Sequence, residues 1–174
     1  MRKTPALCVA LMLLGTGSAA LAADEPFVSI FGGYANNDDD TGADNTVPFG
    51  VRFGTETPVA GGQLSLTLNR DGDVKMDTLL AEFLLHFCSS DARTRRNRIL
   101  YNRVSGFGII GLGTMRYQAD SDTGAAWIFT WDLGVGMQVK FTQKIGLRVQ
   151  LLSMWTGPNK FQNFSGDVGV AFYF

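Results

Sequence analysis

Between Trp127 and Phe141 every second residue is bulky and apolar: Trp127, Phe129, Trp131, Leu133, Val135, Met137, Val139 and Phe141. The residues between them are Ile128, Thr130, Asp132, Gly134, Gly136, Gln138 and Lys140. On a helix this order would scatter the apolar groups around the circumference. On an extended strand, where successive side chains point to opposite sides, it makes one greasy face and one small or polar face. The same period of two returns along the chain, and no stretch sustains a helical period. It predicts an all-β chain of eight strands, at 26–35, 47–56, 63–70, 76–87, 103–117, 126–141, 145–156 and 165–174, of which the first three form an up-down-up meander.

Two-faced strands also build soluble barrels, whose apolar side lines a pocket and whose polar side meets water. The kind of polar residue separates the two cases. A water-facing surface is dense in long charged side chains, whereas this polar face is mostly Gly, Ala, Ser, Thr and Gln with a charge every few positions. The second strand sets Val47, Phe49, Val51 and Phe53 against Gly50, Arg52 and Gly54, and the third sets Leu64, Leu66 and Leu68 against Gln63, Ser65 and Thr67. The fourth sets Leu79, Ala81, Phe83, Leu85 and Phe87 against Thr78, Glu82 and His86. In the seventh, Ile145, Leu147, Val149, Leu151 and Trp155 oppose Gly146, Arg148 and Gln150, with Leu152 and Met154 intruding on the polar side. The first and fifth strands are rich in glycine, and their faces stay unassigned. Small residues suit a narrow interior, so the bulky face is expected outside, against lipid. Aromatics gather at strand ends as interfacial girdles would: Trp127 and Trp155 beside the loops, Phe87, Phe141 and Phe174 at the opposite ends.

At the amino end, Arg2 and Lys3 precede "ALCVALMLL" and the small-residue stretch "GTGSAALA". This is the pattern of a secretory signal peptide over residues 1–22 with Ala20-Leu21-Ala22 as its cleavage site, which assigns 23–174 to one barrel domain. Cleavage removes Arg2, Lys3 and Cys8, so the remaining chain is acidic and keeps only Cys88, with no intramolecular disulfide available. Such a charge does not suit a nucleic-acid partner. After residue 22 no run approaches the roughly 18 apolar residues of a membrane helix, so a membrane-spanning form must be a closed barrel in which every backbone group is bonded. The last strand is then expected to pair with the first, with Phe174 at the membrane surface.

The terminal "VGVAFYF" and the segment "GFGIIGLGTMRYQADSDTGAAWIFTWDLGVGMQVKFTQKIGLRV" resemble the small eight-stranded outer-membrane barrels of the OmpA and OmpX type, over the whole of 23–174. The resemblance implies an eight-stranded antiparallel up-and-down transmembrane β-barrel, monomeric, in the outer membrane of a Gram-negative bacterium, with both termini periplasmic. It implies lipids and lipopolysaccharide as neighbours, and a carboxy-terminal signal of Val170, Phe172 and Phe174 read by the barrel-assembly machinery. Loops 36–46, 71–75, 118–125 and 157–164 would then face outward.

Those loops carry Asp38, Asp39, Asp40, Asp44, Asp71, Asp73, Asp120 and Asp122. A divalent-cation bridge to lipopolysaccharide is one reading of them. Ordinary solvated loop chemistry is the better one, because "DDD" lacks the spacing and glycine of a calcium loop. The segment 88–102, with Arg93, Arg95, Arg96 and Arg98 against Asp91 and with Arg103 just beyond, suits either a solvated turn or a contact with phosphates. Inside the barrel Arg52, Glu82, Asp132, Gln138, Arg148 and Gln150 are expected to interlock, since a charge in a narrow lumen needs a partner. Eight strands leave an interior that side chains about fill, which favours a plug over a gated path or a carrier for small solutes. Some barrels of this size edit lipid A with a Ser-His-acid set. Here His86 is the one histidine, four residues along its strand from Glu82 and with no evident serine, so catalysis, cofactors and metals are not expected.

Overall fold

The alternation becomes eight strands: β1 (Glu25–Asn37), β2 (Phe49–Glu56), β3 (Ala60–Asp71), β4 (Val74–Ser89), β5 (Val104–Gln118), β6 (Ala126–Lys140), β7 (Ile145–Thr156) and β8 (Phe161–Tyr173). The structure, a computed structural model, describes residues 25–37, 45–71, 74–89, 104–118, 125–157 and 161–174. The expected signal peptide, the basic segment from 90 to 103 and the loop acids Asp38, Asp39, Asp40, Asp44, Asp73, Asp120 and Asp122 lie outside the described residues, as does the side chain of Asp71.

Each strand pairs antiparallel with the next, and β8 returns to β1 from Phe27↔Tyr173 to Asn37↔Asn163, which closes the barrel. Closure satisfies the ladder hydrogen bonds of the first and last strands and leaves no open sheet edge. The last residue is tied in as well, Phe174 donating its N–H to the Pro26 carbonyl at 3.0 Å. One end of the barrel holds both chain ends and the tight β2–β3 and β6–β7 turns. The β4–β5 connection lies at that end too; the other end holds the β1–β2, β3–β4, β5–β6 and β7–β8 connections and is called the loop end below.

Several strand limits differ from those expected, for local reasons. β3 begins at Ala60 rather than Gln63, because Thr57 closes a tighter turn than "TPVAGG" suggested: its hydroxyl donates to the Ala60 carbonyl at 2.8 Å and accepts from the Ala60 N–H at 3.1 Å. Thr142 does the same work in the β6–β7 turn, accepting from the N–H groups of Lys144 and Ile145 at 3.1 and 3.0 Å. β8 begins at Phe161 rather than Ser165, because Gln162 and Asn163 extend the ladder opposite Trp155 and Met154. Polar residues at a strand end cost a barrel nothing where the ladder has already left the apolar belt.

The bulky face is the outer one. Ile30, Phe53, Leu64, Phe83, Ile110, Phe129, Leu133, Val135, Leu151, Val168 and Val170 are all exposed, while Arg52, Asp132, Arg148 and Gln150 are fully shielded. A water-soluble protein inverts this arrangement; hydrocarbon outside the barrel makes it stable.

The two strands whose faces the sequence left open turn aromatic rings inward. Phe27 and Phe31 of β1 and Phe107 of β5 are buried, and each stands directly opposite a glycine: Phe27↔Gly54, Phe31↔Gly50, Phe107↔Gly136. A Cβ at Gly50 would meet the Phe31 ring at 2.6 Å, and one at Gly136 would meet the Phe107 ring at 2.4 Å. The glycines are the floor on which these rings lie.

Candidate functional site

The inward rings matter because cations rest on them. The Arg52 guanidinium lies 3.6 Å over the Phe31 ring, Arg148 lies 4.3 Å from Phe27 and 4.8 Å from Phe107, and the Lys140 ammonium lies 3.9 Å over Tyr173. A ring face attracts a cation through its quadrupole, and does so more strongly where water is excluded. Strand-borne glycine, ring and cation thus form repeated three-part units that fill the lumen.

Arg52 forms a two-pronged bond to Asp167 of β8, at 2.8 and 2.7 Å, with both side chains at 4 % exposure or less. The fork matches the carboxylate plane, which is the strongest geometry such a pair can take. Nearer the turn end the charges collect around Glu56. Gln138 donates to it at 2.8 Å, and it is approached by Lys140 at 3.4 Å, Arg148 at 3.6 Å and His86 at 4.0 Å. Lys140 also bonds Glu25 at 2.5 Å, and the Tyr173 hydroxyl donates to Gln138 at 3.0 Å.

The six residues expected to interlock therefore divide. Arg52 meets Asp167; Gln138 and Arg148 meet Glu56; Glu82 accepts from Gln63 at 2.6 Å. Asp132 and Gln150 are fully buried, and no side-chain hydrogen bond among the described residues reaches their polar atoms. Glu56 and Asp167 escaped the sequence reading although both fall on the inward parity of their strands. Glu56 is the last residue of β2, as expected, but at a strand end next to a turn its inward parity passed unused. Asp167 sits among glycine and alanine, beside an aromatic terminus that drew the attention outward. An unpaired-cation search across strands, asking which inward carboxylate answers Arg52, finds the candidates but not the partner.

On the outside, Trp127, Phe87, Phe141 and Phe174 are exposed at strand ends, and Trp155 stacks on Trp131 with centroids 4.3 Å apart. Val170, Phe172 and Phe174 all face outward, while Tyr173 between them turns into the lumen. His86 points inward, tilted against Phe107 with centroids 5.6 Å apart, and its Nε2 has no hydrogen-bond partner.

Above the Arg52–Asp167 pair the loop-end half of the lumen keeps a cavity of about 50 Å³, lined by Met76, Met115, Met154 and Leu80 and reaching Glu82 and Asp132. Toward the turn end the Arg52–Asp167 pair and the Glu56 cluster occupy the bore.

No protein-family model matches the chain, and no curated protein matches it. Solved structures do. The N-terminal β-barrel domain of Pseudomonas aeruginosa OprF superposes with a TM-score of 0.62 at 16% identity, over 85% of this chain and 97% of that one. Neisserial surface protein A gives 0.62 at 12% identity, over 87% and 97%. The fold is that of a small outer-membrane barrel. Yersinia pestis Ail, the attachment invasion locus protein, in complex with the heparin analogue sucrose octasulfate, gives 0.50 at 14% identity over 87% and 97%.

The ring-and-glycine units make a direct prediction for this barrel. Gly136→Val drives two methyl groups into the Phe107 ring, which can leave only by abandoning Arg148. A loss of roughly 1–3 kcal/mol is expected from such overpacking, read from urea unfolding in lipid vesicles.

Proposed function

We propose that the chain is an integral outer-membrane barrel of a Gram-negative bacterium, with a structural or surface-interaction role and no catalysis, its termini in the periplasm and its loop end outside the cell. The observation that carries this reading is the pairing of an apolar exterior with a bore closed by bonded side chains. A conducting path or a carrier would need a continuous opening, and the Arg52–Asp167 pair and the Glu56 cluster stand across it. Catalysis of the Ser-His-acid kind would need a serine bonded to His86, and none is bonded to it among the described residues. One structural neighbour is a surface protein by name and another an attachment invasion locus protein, which agrees with a surface role. Val170, Phe172 and Phe174 would be the strip that the assembly machinery reads before the barrel meets lipid.

An outer rim patch supports contact with lipopolysaccharide. Arg70, Lys75 and Arg116 are exposed on the outward parity at the loop end of β3, β4 and β5, with Arg70↔Lys75 and Asp77↔Arg116 as cross-strand neighbours and Arg70 bonded to Asp77. Among the described side chains, three cations against one carboxylate give this patch a positive balance just beyond the apolar belt. Such a rim faces the depth at which lipid phosphates sit, where each cation contributes on the order of 1 kcal/mol.

The test is membrane fractionation together with binding of lipopolysaccharide to purified barrel at low salt. Replacing Arg70, Lys75 and Arg116 by alanine should weaken that binding by roughly 3 kcal/mol while leaving heat-modifiable gel migration intact. Recovery of the protein in the soluble periplasmic fraction, or steady ion-selective openings of the wild type in planar bilayers, would overturn the reading.

A further inference from the structure

The lumen contains two carboxyl groups that form no ion pair with a cation among the described residues. Among the described residues its three buried cations are all engaged: Arg52 with Asp167, Lys140 with Glu25 and Glu56, Arg148 with Glu56. Glu82 and Asp132 remain. They lie on β4 and β6 in one cross-strand row, Glu82↔Gly111↔Asp132, with a glycine between them. Because Gly111 has no side chain, the two carboxyls lean together over it: a Cβ built there would come within 2.0 Å of Asp132 Oδ1 and 2.8 Å of Glu82 Cγ.

Asp132 is fully buried, and no donor from another residue reaches its carboxylate oxygens; it lies close enough to Glu82 to share a hydrogen bond when one of the two carries a proton. Gln63 Oε1 is without a partner, while Glu82 Oε2 accepts from Gln63. The two terminal nitrogens of Arg52 are bonded to Asp167, and its Nε has no hydrogen-bond partner. The pair borders the loop-end cavity, which has Glu82 and Asp132 in its lining and room for one or two water molecules in its roughly 50 Å³.

We propose that this row is a binding site for one divalent cation with a preference for oxygen ligands, entering from the loop end. Two carboxylates match the charge of one such ion. Their oxygens, the neighbouring amide oxygen of Gln63 and retained water supply a mostly oxygen shell. Magnesium-like ions are bound in this way, by one or two carboxylates while keeping several waters, without a cage of many protein ligands. The alternative occupant is a single proton shared between the carboxyls, as close carboxyl pairs hold elsewhere.

Manganese(II) is the probe, because the paramagnetic signal of the free ion falls as it binds. The full barrel, refolded in detergent micelles and shown by gel migration to be folded, should take up one equivalent of Mn²⁺, displaced by excess Mg²⁺ or Ca²⁺. Glu82→Gln and Asp132→Asn should each weaken uptake by roughly 10–100-fold, the least that losing a ligand costs if losing a ligand's support costs that much. Gly111→Ala, which puts a methyl group where the carboxyls meet, should do likewise. Replacing Asp38, Asp39 and Asp40 by asparagine should leave the site intact. The proposal fails if the wild type binds no Mn²⁺ at millimolar concentration, if uptake survives all three lumen substitutions, or if it disappears in the loop variant. Each of these failures leaves the membrane role standing, since fractionation and gel migration decide that separately.

Discussion

Arg52→Ala is expected to destabilise the folded barrel by about 3–5 kcal/mol. The loss does not measure the attraction of the pair; it measures what is left behind. Asp167, 4 % exposed, would keep its charge in the bore with no cation paired to it and only the neutral amide of its cross-strand neighbour Gln150 beside it, and the Phe31 ring would lose the guanidinium that covers it. Asp167→Asn should cost a similar amount by stranding the arginine. Replacing both partners together with Met and Leu should recover most of the loss, because a well-packed apolar pair avoids the desolvation that the ions incur. Reversible urea unfolding in lipid vesicles, followed by tryptophan fluorescence, gives these differences directly. A cost under about 1 kcal/mol for the single change would resemble that of exposed ion pairs, and would mean that water reaches the pair and the bore is open.

Val135→Arg is expected to cost about 2–4 kcal/mol, the value for a cation at the middle of the hydrocarbon. Val135 is exposed on the outer face of β6, between Trp127 and Trp131 toward the loop end and Phe141 at the turn end. The same cation in place of Trp127, at the strand terminus, should cost only about 0–1 kcal/mol, since there it reaches water or headgroups. The contrast between the two sites is the informative quantity, because it reads depth in the bilayer and cancels general effects of introducing arginine. Equal costs at both positions would mean that the outer face meets water or protein instead of lipid.

Both expectations draw on a division that the sequence displayed unevenly. In β2, β3 and β6 the alternation was clean, because one parity held Phe, Leu, Val and Trp and the other held mostly small or polar groups; in β4 and β7 it stayed legible although Met76, Leu80, Leu84 and Leu152 also turn inward. The fold class, the strand number and the closure of β8 on β1 followed from that contrast. In β1 and β5 both parities carry glycine and bulky residues, so hydrophobicity could not rank them. Phe27, Phe31 and Phe107 are as apolar as any lipid-facing residue. They point inward because the positions across from them are Gly54, Gly50 and Gly136, and because arginines need their faces. Neither reason is local, since each depends on which residue the neighbouring strand sets opposite.

The same limit explains the site. Parity alone placed Arg52, Glu82, Asp132, Gln138, Arg148 and Gln150 inside together, but it could not pair them. The ladder carries Arg52 of β2 to within bonding distance of Asp167 of β8, 115 positions along the chain, and draws Gln138, Lys140, Arg148 and His86 around Glu56. Alternation is a property of one strand with itself, so the amino-acid order by itself settled which side of each clear strand is greasy, and hence a barrel with lipid outside. The choice of partners within the bore depends on strand stagger and on which glycines leave room, and these are relations between strands that come into being only when the cylinder closes.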